Sequence, residues 1–472
     1  MRSSLLLVAS GLVFAPPLLA QIDRSGNIAQ RYSLLCASCH GARMEGAQAP
    51  SMLDDTFVYG GDDAALARSI RDGHPDKGMP AFAGALSDKE IRAMVIYIRE
   101  QRDRAKRETS SFSKPADSVA VKSQVHNYQL TTWIDGLNDP WSITFLPDGS
   151  SLFTEKRGRL YQVPAGSSRA VRIEGVPEVD NDSQAGLFDL SPHPNYAENG
   201  WLYLAYSHPQ RNASGQEVSL TRVIRGKLRD GALTEQETVF QAPVEQYPRA
   251  GGVHFGGRLA FDRDGYLFFT IGERGRMTNS QDLTVAMGKV HRVHDDGRIP
   301  KDNPFVSKGD AFATIWSYGH RNPQGLAFDP RNGDLYDLEH GPRGGDELNL
   351  VEKGRNYGWP VISYGMNYDG SSITELTSKE GMEQPVVYWT PSLAVSGMTF
   401  YTGDRFPGWK HNLFIASLAA EELRRLVIDD RKVVSQEVLF KSLGRIRDVE
   451  QGPDGALYVL LPGRIARLTP SQ

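Results

Sequence analysis

The chain has 472 residues, of which 40% are hydrophobic and 23% are charged, and its formal net charge is -4. Such a composition excludes a largely disordered chain and is typical of a globular protein with more than one domain. Lys and Arg are scattered rather than clustered, so neither nucleic acid nor an anionic lipid surface is an expected partner.

The first residues have the pattern of a secretory signal. Arg2 precedes an apolar run that starts at Leu5, and the stretch ending in Ala20 offers a cleavage site. A retained membrane anchor is the alternative, but it needs roughly 20 consecutive apolar residues, and Pro16 interrupts this run well before that length. We therefore predict cleavage after Ala20, export to the periplasm or out of the cell, and a mature chain without a membrane span.

Both cysteines of the chain lie in the segment CASCH, residues 36–40. In a C-x-x-C-H motif the two thiols bond covalently to haem and the adjacent histidine ligates the iron. The motif predicts Cys36 and Cys39 as the attachment sites of one haem c and His40 as its proximal ligand. A thioredoxin-like redox pair is the alternative, but that pair requires a βαβ setting, and the flanks here are typical of helices.

The second axial ligand has several methionine candidates. Met94 follows a capping box at 87–90 on the apolar face of a predicted helix, where a core position is expected. Met44 and Met52 also lie in this segment, and Met79 lies in the loop GMPAF, residues 78–82. The segment resembles a small class I cytochrome c, whose GMPAF loop carries the distal methionine. The resemblance implies that Met79 ligates the haem iron.

A polar, charge-mixed stretch with Lys114 and Pro115 near its centre is typical of a linker between domains. We therefore divide the chain into a signal peptide at 1–20, a helical cytochrome c domain at 21–101, a linker at 102–124 and a large domain at 125–472.

One unit recurs six times in the large domain: Asp or Asn, usually Gly, and then Leu beside an aromatic residue. Each copy is typical of a tight turn that leads into a half-buried strand. Six such units at irregular spacing predict a six-bladed β-propeller, with a β-sandwich as the alternative. The copies are DGSSLF at 148–153, NGWLY at 199–203, DGYLFF at 264–269, NGDLY at 332–336, HNLF at 411–414 and DGALY at 454–458. The fold class is therefore an all-β six-bladed propeller preceded by a small all-α cytochrome c domain.

Polar residues cluster where strands of the large domain should begin or end. His254 stands between two glycine pairs in GGVHFGGRLAF, residues 251–261, where a neutral imidazole is able to accept a proton. A purely structural histidine is the alternative. Arg321 and Asn322 lie before a proline turn and offer neighbouring donors for an anionic or carbonyl-bearing ligand.

Two further motifs are rich in charge. Arg445 and Arg447 alternate in LGRIRDV, residues 443–449, so a strand would place both on one face, where an anion would relieve their repulsion. Surface ion pairs with Asp448 or Glu450 are the alternative. The glycine-rich turn EHGPRGGDELNL, residues 339–350, offers carbonyl and carboxylate oxygens to a hard cation such as calcium.

From about residue 125 onward these motifs resemble the soluble pyrroloquinoline quinone (PQQ) dependent aldose sugar dehydrogenases, a family of six-bladed propellers. The motifs HFGGRLAF, IGERG, GHRNPQGLAF, EHGPRGGDELN, NYGWPVISYG and RIRDV occur in the same order. The resemblance implies that His254 is the general base acting on the anomeric hydroxyl of an aldose. It also implies PQQ contacts from Gln184, Arg321, Asn322, Arg445 and Arg447, and calcium ligation by the carbonyls of Gly341 and Pro342.

The residue chemistry agrees with that implication, because PQQ carries three carboxylates and arginines complement them. Two positions depart from the family pattern. Ala419 stands where the family usually has a cofactor-binding lysine, and neighbouring Arg424 or Arg425 is a candidate replacement. Val253 stands where the glucose-oxidising branch has an acid before the catalytic histidine, which favours the broader aldose branch.

The leading hypothesis is an exported quinohaemoprotein. It oxidises aldoses at C1 and passes electrons to the fused haem and then to an external acceptor, either another cytochrome or a quinone-linked carrier. A calcium-dependent propeller hydrolase resembling a lactonase is one alternative. A propeller that serves only as a binding module for the cytochrome is the other.

Overall fold

A computed structural model describes residues 28–54, 56–109 and 116–471, with the backbone alone at 107–109. The signal peptide expected at 1–20 lies outside these residues. Among the described residues, no helix combines the length and the apolar character that crossing a membrane requires.

The first described unit is helical. Its helices are α1 (Ile28–Leu35), α2 (Ala37–His40), α3 (Asp63–Asp72) and α4 (Asp88–Thr109), with a 3₁₀ turn at Pro75–Lys77. Asp62 caps α3 by accepting a 2.7 Å hydrogen bond from the backbone of Ala65. The predicted capping box also forms, since the Ser87 amide donates to Glu90 at 2.8 Å and the Glu90 amide donates back to the Ser87 hydroxyl at 3.4 Å. One apolar cluster joins α1, α3 and α4.

Helix α4 is longer than the sequence analysis expected. It continues past Gln101 to Thr109, and the first strand begins at Ala120, so the stretch predicted as a linker is in part helix and in part strand. Arg102 explains the extension, because its guanidinium donates to the Asp54 carbonyl at 2.8 Å and lies 4.5 Å from the centre of the Phe57 ring. Contacts with the helical core therefore hold the first turn beyond Gln101.

The remaining chain forms six antiparallel sheets. Two N-terminal strands, β1 (Ala120–Lys122) and β2 (Asn127–Asp135), precede the first complete sheet. The next three sheets contain β3 (Pro140–Phe145), β4 (Ser151–Glu155), β5 (Arg159–Val163) and β6 (Val171–Ile173); β7 (Leu187–Pro192), β8 (Trp201–Arg211), β9 (Glu217–Arg229) and β10 (Ala232–Phe240); and β11 (Leu259–Phe261), β12 (Leu267–Ile271), β13 (Lys289–Val293) and β14 (Ile315–Tyr318).

The last three sheets complete the order along the chain. They contain β15 (Pro323–Phe328), β16 (Leu335–Glu339), β17 (Asp346–Val351) and β18 (Val387–Trp389); β19 (Val395–Phe400), β20 (Leu413–Ser417), β21 (Glu422–Asp429) and β22 (Lys432–Lys441); and β23 (Asp448–Gln451), β24 (Leu457–Leu461) and β25 (Arg464–Pro470). Short helical turns lie at α5 (Tyr196–Asn199) and, as 3₁₀ turns, at Val244–Gln246, Met277–Ser280 and Pro407–Trp409.

The first strands of successive sheets contact one another in a closed cycle, from β3 through β7, β11, β15, β19 and β23 back to β3. Strand β2 pairs with β25, so the sixth sheet contains both ends of the large domain and closes the ring. Each of the six repeated sequence units leads into the second strand of one sheet. The protein is therefore a six-bladed β-propeller with a helical domain in front, as predicted, and not a sandwich.

Burial follows from this arrangement. The second strands β4, β12, β16, β20 and β24 are buried at every residue, because each blade packs between two neighbours. The first strands surround the central channel, so residues at their ends are available to a ligand.

Candidate active site

The predicted site residues meet at one end of the channel for a topological reason. Gln184, His254 and Asn322 each lie a few residues before a first strand, namely β7, β11 and β15. Gly341 follows a second strand, β16, and second strands run antiparallel to the first. Residues before first strands and after second strands therefore share one end of the propeller.

A cavity of about 400 Å³ opens at this end. Of the residues predicted to contact a cofactor, Gln184, Asn322, Arg445 and Arg447 line it. Trp141 and Phe255 supply apolar and aromatic surface to the same cavity. The combination suits a planar, anionic ligand of moderate size.

His254 is buried beside this cavity, and only 8% of its surface is exposed. Its Nδ1 meets the carboxylate of Glu273, and its backbone lies in the left-handed region at φ 58°. Burial lowers the pKa of His254, and this effect outweighs the hydrogen bond that its Nδ1 donates to Glu273, which raises the pKa. The imidazole is therefore neutral near pH 7, and the Glu273 contact at Nδ1 leaves Nε2 to act as the proton acceptor.

Two amide side chains connect His254 to the lining of the cavity. The oxygen of Gln184 accepts a 2.8 Å hydrogen bond from the backbone of His254. The oxygen of Asn322 accepts from the backbone of Gly256 at 3.2 Å and from Gln324 at 3.3 Å. These bonds orient both amides, with Gln184 held by His254 itself and Asn322 held by Gly256, two residues further along the chain.

Arg445 and Arg447 do not lie in a strand as the alternation suggested, because β23 begins only at Asp448. They lie in the loop before it, where both line the cavity while Ile446 between them is fully buried. Burial, followed by repulsion from Arg258 and Arg445, lowers the pKa of Arg447 to about 9. A bound anion would offset this repulsion, which favours the ligand interpretation over a surface ion pair.

Ala419 leaves one cationic contact of the family pattern unfilled, and its arginine neighbours do not replace it. Arg424 is bonded to Glu422 at 2.8 Å, and Arg425 to Glu437 at 2.8 Å. Lys156, which the sequence analysis missed, lines the cavity instead, and its Nζ donates to the Ser183 carbonyl at 2.6 Å. Burial lowers the pKa of Lys156, and Arg447 adds to that effect. An anion nearby would favour its charged form.

The turn after β16 carries the predicted calcium ligands. The Gly341 carbonyl accepts a 3.0 Å hydrogen bond from the guanidinium of Arg321, so the structure brings these two predicted residues together. A carbonyl oxygen has two lone pairs and is able to accept this bond and contact a cation as well. Carbonyl oxygens are hard donors of the kind that calcium prefers, and the Pro342 carbonyl is adjacent in the chain.

A buried cluster of charged side chains, His320, Asp337 and Glu339, lies next to Arg321. Glu339 accepts a 2.6 Å hydrogen bond from the Arg321 backbone, and it lies 3.2 Å from Nδ1 of His320. Burial lowers the pKa of His320, but Asp337 and Glu339 outweigh it and raise the value to about 9. The geometry of the three side chains would also suit a metal ion. A protonated His320 offsets the charge of one of the two carboxylates.

In the helical unit, both cysteines of the C-x-x-C-H motif are half-buried. Nδ1 of His40 lies 3.1 Å from the Pro50 carbonyl, so this nitrogen donates and Nε2 is left for a metal. A histidine that ligates a metal is commonly oriented in this way. These residues fit a covalently attached haem.

The four methionine candidates differ in their surroundings. Met44 and Met94 are each 1% exposed and belong to the apolar core, whereas Met52 packs at its edge. Met79 is half-buried in the loop after Pro75–Lys77, where its backbone forms a bridge with His74. Met44 and Met94 are therefore core residues, whereas Met52 and Met79 are more accessible, and ligation of the haem iron by Met79 stays a prediction.

A propeller with a cationic cavity at one channel end, preceded by a helical unit with a haem-binding motif, defines an oxidoreductase with an attached cytochrome. The family model for Glucose / Sorbosone dehydrogenase matches residues 137–469, and the model for Cytochrome C oxidase, cbb3-type, subunit III matches residues 25–98. The chain therefore belongs to the glucose/sorbosone dehydrogenase family and carries a cytochrome c domain before its propeller. Family membership favours the sugar oxidoreductase over both the hydrolase and the binding module.

Several known proteins are similar to this chain. Aldose sugar dehydrogenase YliI of Escherichia coli (strain K12) is 42% identical over 346 residues, which cover 71% of this chain and 91% of that protein. A crystal structure of glucose dehydrogenase is 41% identical, covers 73% of this chain and 99% of its own, and has a TM-score of 0.68. The PQQ-bound form of aldose sugar dehydrogenase from Streptomyces coelicolor is 27% identical, covers 73% and 98%, and has a TM-score of 0.59.

Proposed function

We propose that the protein is an exported quinohaemoprotein that oxidises aldoses at C1 to lactones with PQQ as the electron acceptor. The observation that carries this proposal is the buried His254–Glu273 pair beside a cavity lined by Lys156, Arg445 and Arg447. A general base next to a site for a multiply charged anion is what hydride removal to a carboxylated quinone requires.

Different residues of the site have different roles in the proposed reaction. His254 accepts the proton of the anomeric hydroxyl at Nε2, and Glu273 keeps the imidazole in the required tautomer and stabilises it once protonated. The sugar loses a hydride from C1, which becomes the lactone carbonyl. PQQ would be held by Gln184, Arg321, Asn322, Arg445 and Arg447. Lys156 would take the place of the family's lysine. PQQ supplies the two-electron acceptor.

The carbonyls of Gly341 and Pro342 would bind a calcium ion beside the cofactor. A cation placed there before the reaction stabilises negative charge that develops on the quinone oxygens. Val253, where the glucose-oxidising branch has an acid, favours a broad aldose preference.

The cytochrome domain would carry the electrons away. Cys36 and Cys39 would attach one haem c, with His40 and Met79 as axial ligands of its iron. Two single-electron transfers to ferric haem account for each aldose, and an external one-electron acceptor reoxidises the haem after each transfer. The secretory pattern at 1–20 supports export to the periplasm or the medium, where such an acceptor, another cytochrome or a quinone-linked carrier, would be met.

The test is to load the purified protein with PQQ and calcium, add aldoses and follow the haem absorption bands. We expect haem reduction that needs both the cofactor and the sugar. Changing His254 to Ala should abolish sugar-driven reduction while the haem spectrum stays intact. A haem that remains oxidised across a broad panel of aldoses would exclude the proposal.

A further inference from the structure

The helical domain packs against one defined part of the propeller, the segment 343–375. Helix α4 supplies most of the contact, and its faces have separate partners. Ile91, Met94, Val95 and Ile98 belong to the apolar core of the cytochrome domain. Lys89, Arg92, Ile96 and Glu100 contact the propeller, and their spacing of three or four residues places them on one side of the helix.

An ion pair lies at one end of this contact. Nε of Arg343 is 2.8 and 2.9 Å from the two carboxylate oxygens of Glu100, and a second guanidinium nitrogen is 2.5 Å from one of them. The Arg343 side chain is 22% exposed and that of Glu100 is 17% exposed, so solvent screens this pair only in part. Such a bidentate pair fixes orientation as well as distance.

The rest of the contact between α4 and the propeller has polar interactions at its edge and apolar packing at its centre. Arg92 donates to the Ser363 carbonyl and lies 5.5 Å from the centre of the Tyr364 ring. The side chain of Ile96 packs against the backbone of Gly344. A Cβ atom added at Gly344 would lie 3.3 Å from the Ile96 side chain. Met366 of the propeller is fully buried and belongs to the apolar core of the cytochrome domain. Met366 thus extends the apolar core of the cytochrome domain into the propeller.

The contact begins at the turn that borders the candidate active site. The Gly341 carbonyl accepts a hydrogen bond from Arg321, and two residues further on Arg343 pairs with Glu100. Gly344 then packs against Ile96. One turn, residues 341–345, therefore touches a predicted cofactor-binding arginine on one side and the cytochrome helix on the other.

We propose that this turn is the electron exit of the propeller and that the Arg343–Glu100 pair holds the cytochrome in its electron-receiving position. The proposal rests on the function proposed above. Electron transfer slows steeply with distance. A cytochrome domain docked beside the turn at 341–345 therefore receives electrons faster than one that moves freely on a linker. The covalent connection supplies a high local concentration of the acceptor, and the ion pair supplies its orientation.

The experiment compares Glu100→Gln with wild type and with Glu375→Gln as a matched control. Glu375 also faces α4, but it lies 4.0 Å from Lys89 and both side chains are exposed. Each protein is loaded with PQQ and calcium, mixed rapidly with an aldose, and followed by haem reduction. Steady-state oxidation with a small diffusing dye as acceptor measures the propeller without the haem. Hydrogen exchange of α4 in the cofactor-free protein measures docking.

We expect Glu100→Gln to slow haem reduction about tenfold or more, since docking then becomes intermittent. Its dye-linked oxidation should match wild type, and α4 should exchange faster. Glu375→Gln should change none of these. Unaltered haem reduction in Glu100→Gln, with or without faster exchange, would overturn the proposal. Failure of the proposed function looks different, because wild type itself would then oxidise no aldose with the dye.

Discussion

The carboxylate of Glu273 meets Nδ1 of His254 in a position that is buried on both sides, with Glu273 1% exposed and His254 8% exposed. Glu273 follows β12 and His254 precedes β11, so the hairpin of one blade supplies both members of the pair. We propose that Glu273 holds the imidazole and acts on the substrate only through His254.

Changing Glu273 to Gln should therefore lower kcat for aldose oxidation by about 100-fold, because the amide neither stabilises the protonated imidazole nor fixes its tautomer. KM should change little, since Glu273 does not line the cavity. Steady-state kinetics with a dye acceptor measure both constants. A large rise in KM at unchanged kcat would contradict the assigned role, and Glu273→Asp is expected to recover part of the rate.

The pH profile follows from the same pair. Burial lowers the pKa of His254 below its ordinary value of 6.5, so the base stays neutral and active as the pH falls through that value. We expect kcat/KM for aldose to decline only below pH 6.5. Glu273 raises the pKa of His254, so its replacement by Gln should move the acid limb to still lower pH. An acid limb at or above 6.5 in wild type would contradict this environment.

Lys156 provides a test of how the site compensates for Ala419. Replacing Lys156 by Ala should weaken PQQ binding about tenfold, which corresponds to about 1.4 kcal/mol, because one of three cations at the cavity is lost. Fluorescence titration of the calcium-loaded protein gives this affinity without any turnover. Introducing Ala419→Lys into Lys156→Ala should restore most of it. Equal affinities in wild type and Lys156→Ala would exclude Lys156 as the replacement.

The sequence predicts the architecture well because each blade carries a local signal. The turn and aromatic strand recur in every blade, and their hydrogen-bond partners are near in sequence, so six copies suffice to predict six blades. The residues around His254, Arg321 and Arg447 were found because glycines or paired charges mark them. Glu273 and Lys156 were missed, because a single charged residue after a strand is ordinary on a surface strand. Only the closed ring brings Lys156 to the cavity, and only the fold brings Glu273 to His254.

The contact between the cytochrome domain and the propeller could not be predicted from the sequence, for a different reason. Glu100 and Arg343 are 243 positions apart, and neither is unusual in its local sequence. Ile96 contacts the propeller, but as an apolar residue beside Val95 it adds to the pattern that the domain core already explains, so it gives no separate signal. The polar residues after Gln101 suggested a linker, whereas the contacts of Arg102 with Asp54 and Phe57 hold the helix beyond that point.

Removal of calcium tests the turn at Gly341. The Gly341 carbonyl already accepts a hydrogen bond from Arg321. Two neutral carbonyls bind calcium weakly unless an anionic cofactor completes the coordination. We therefore expect PQQ and calcium to bind cooperatively, with PQQ affinity at least about tenfold higher in calcium than in a chelator. Magnesium should substitute poorly, because it demands a smaller octahedral site. PQQ affinity that is the same in calcium and in chelator would show that no cation is bound at this turn.

The predicted role of Met79 as an axial ligand is tested by a single substitution. Met79 lies in a loop and outside the apolar core, so Met79→Ala should preserve folding while removing a soft axial ligand from the haem iron. We expect the long-wavelength methionine–iron absorption band to disappear and the reduction potential of the haem to fall. Met52→Leu, at the edge of the core, serves as the control and should keep both properties. If Met79→Ala retains the band, another methionine is the ligand. The electron path proposed here would then start from the same turn at 341–345 but end at a differently ligated iron.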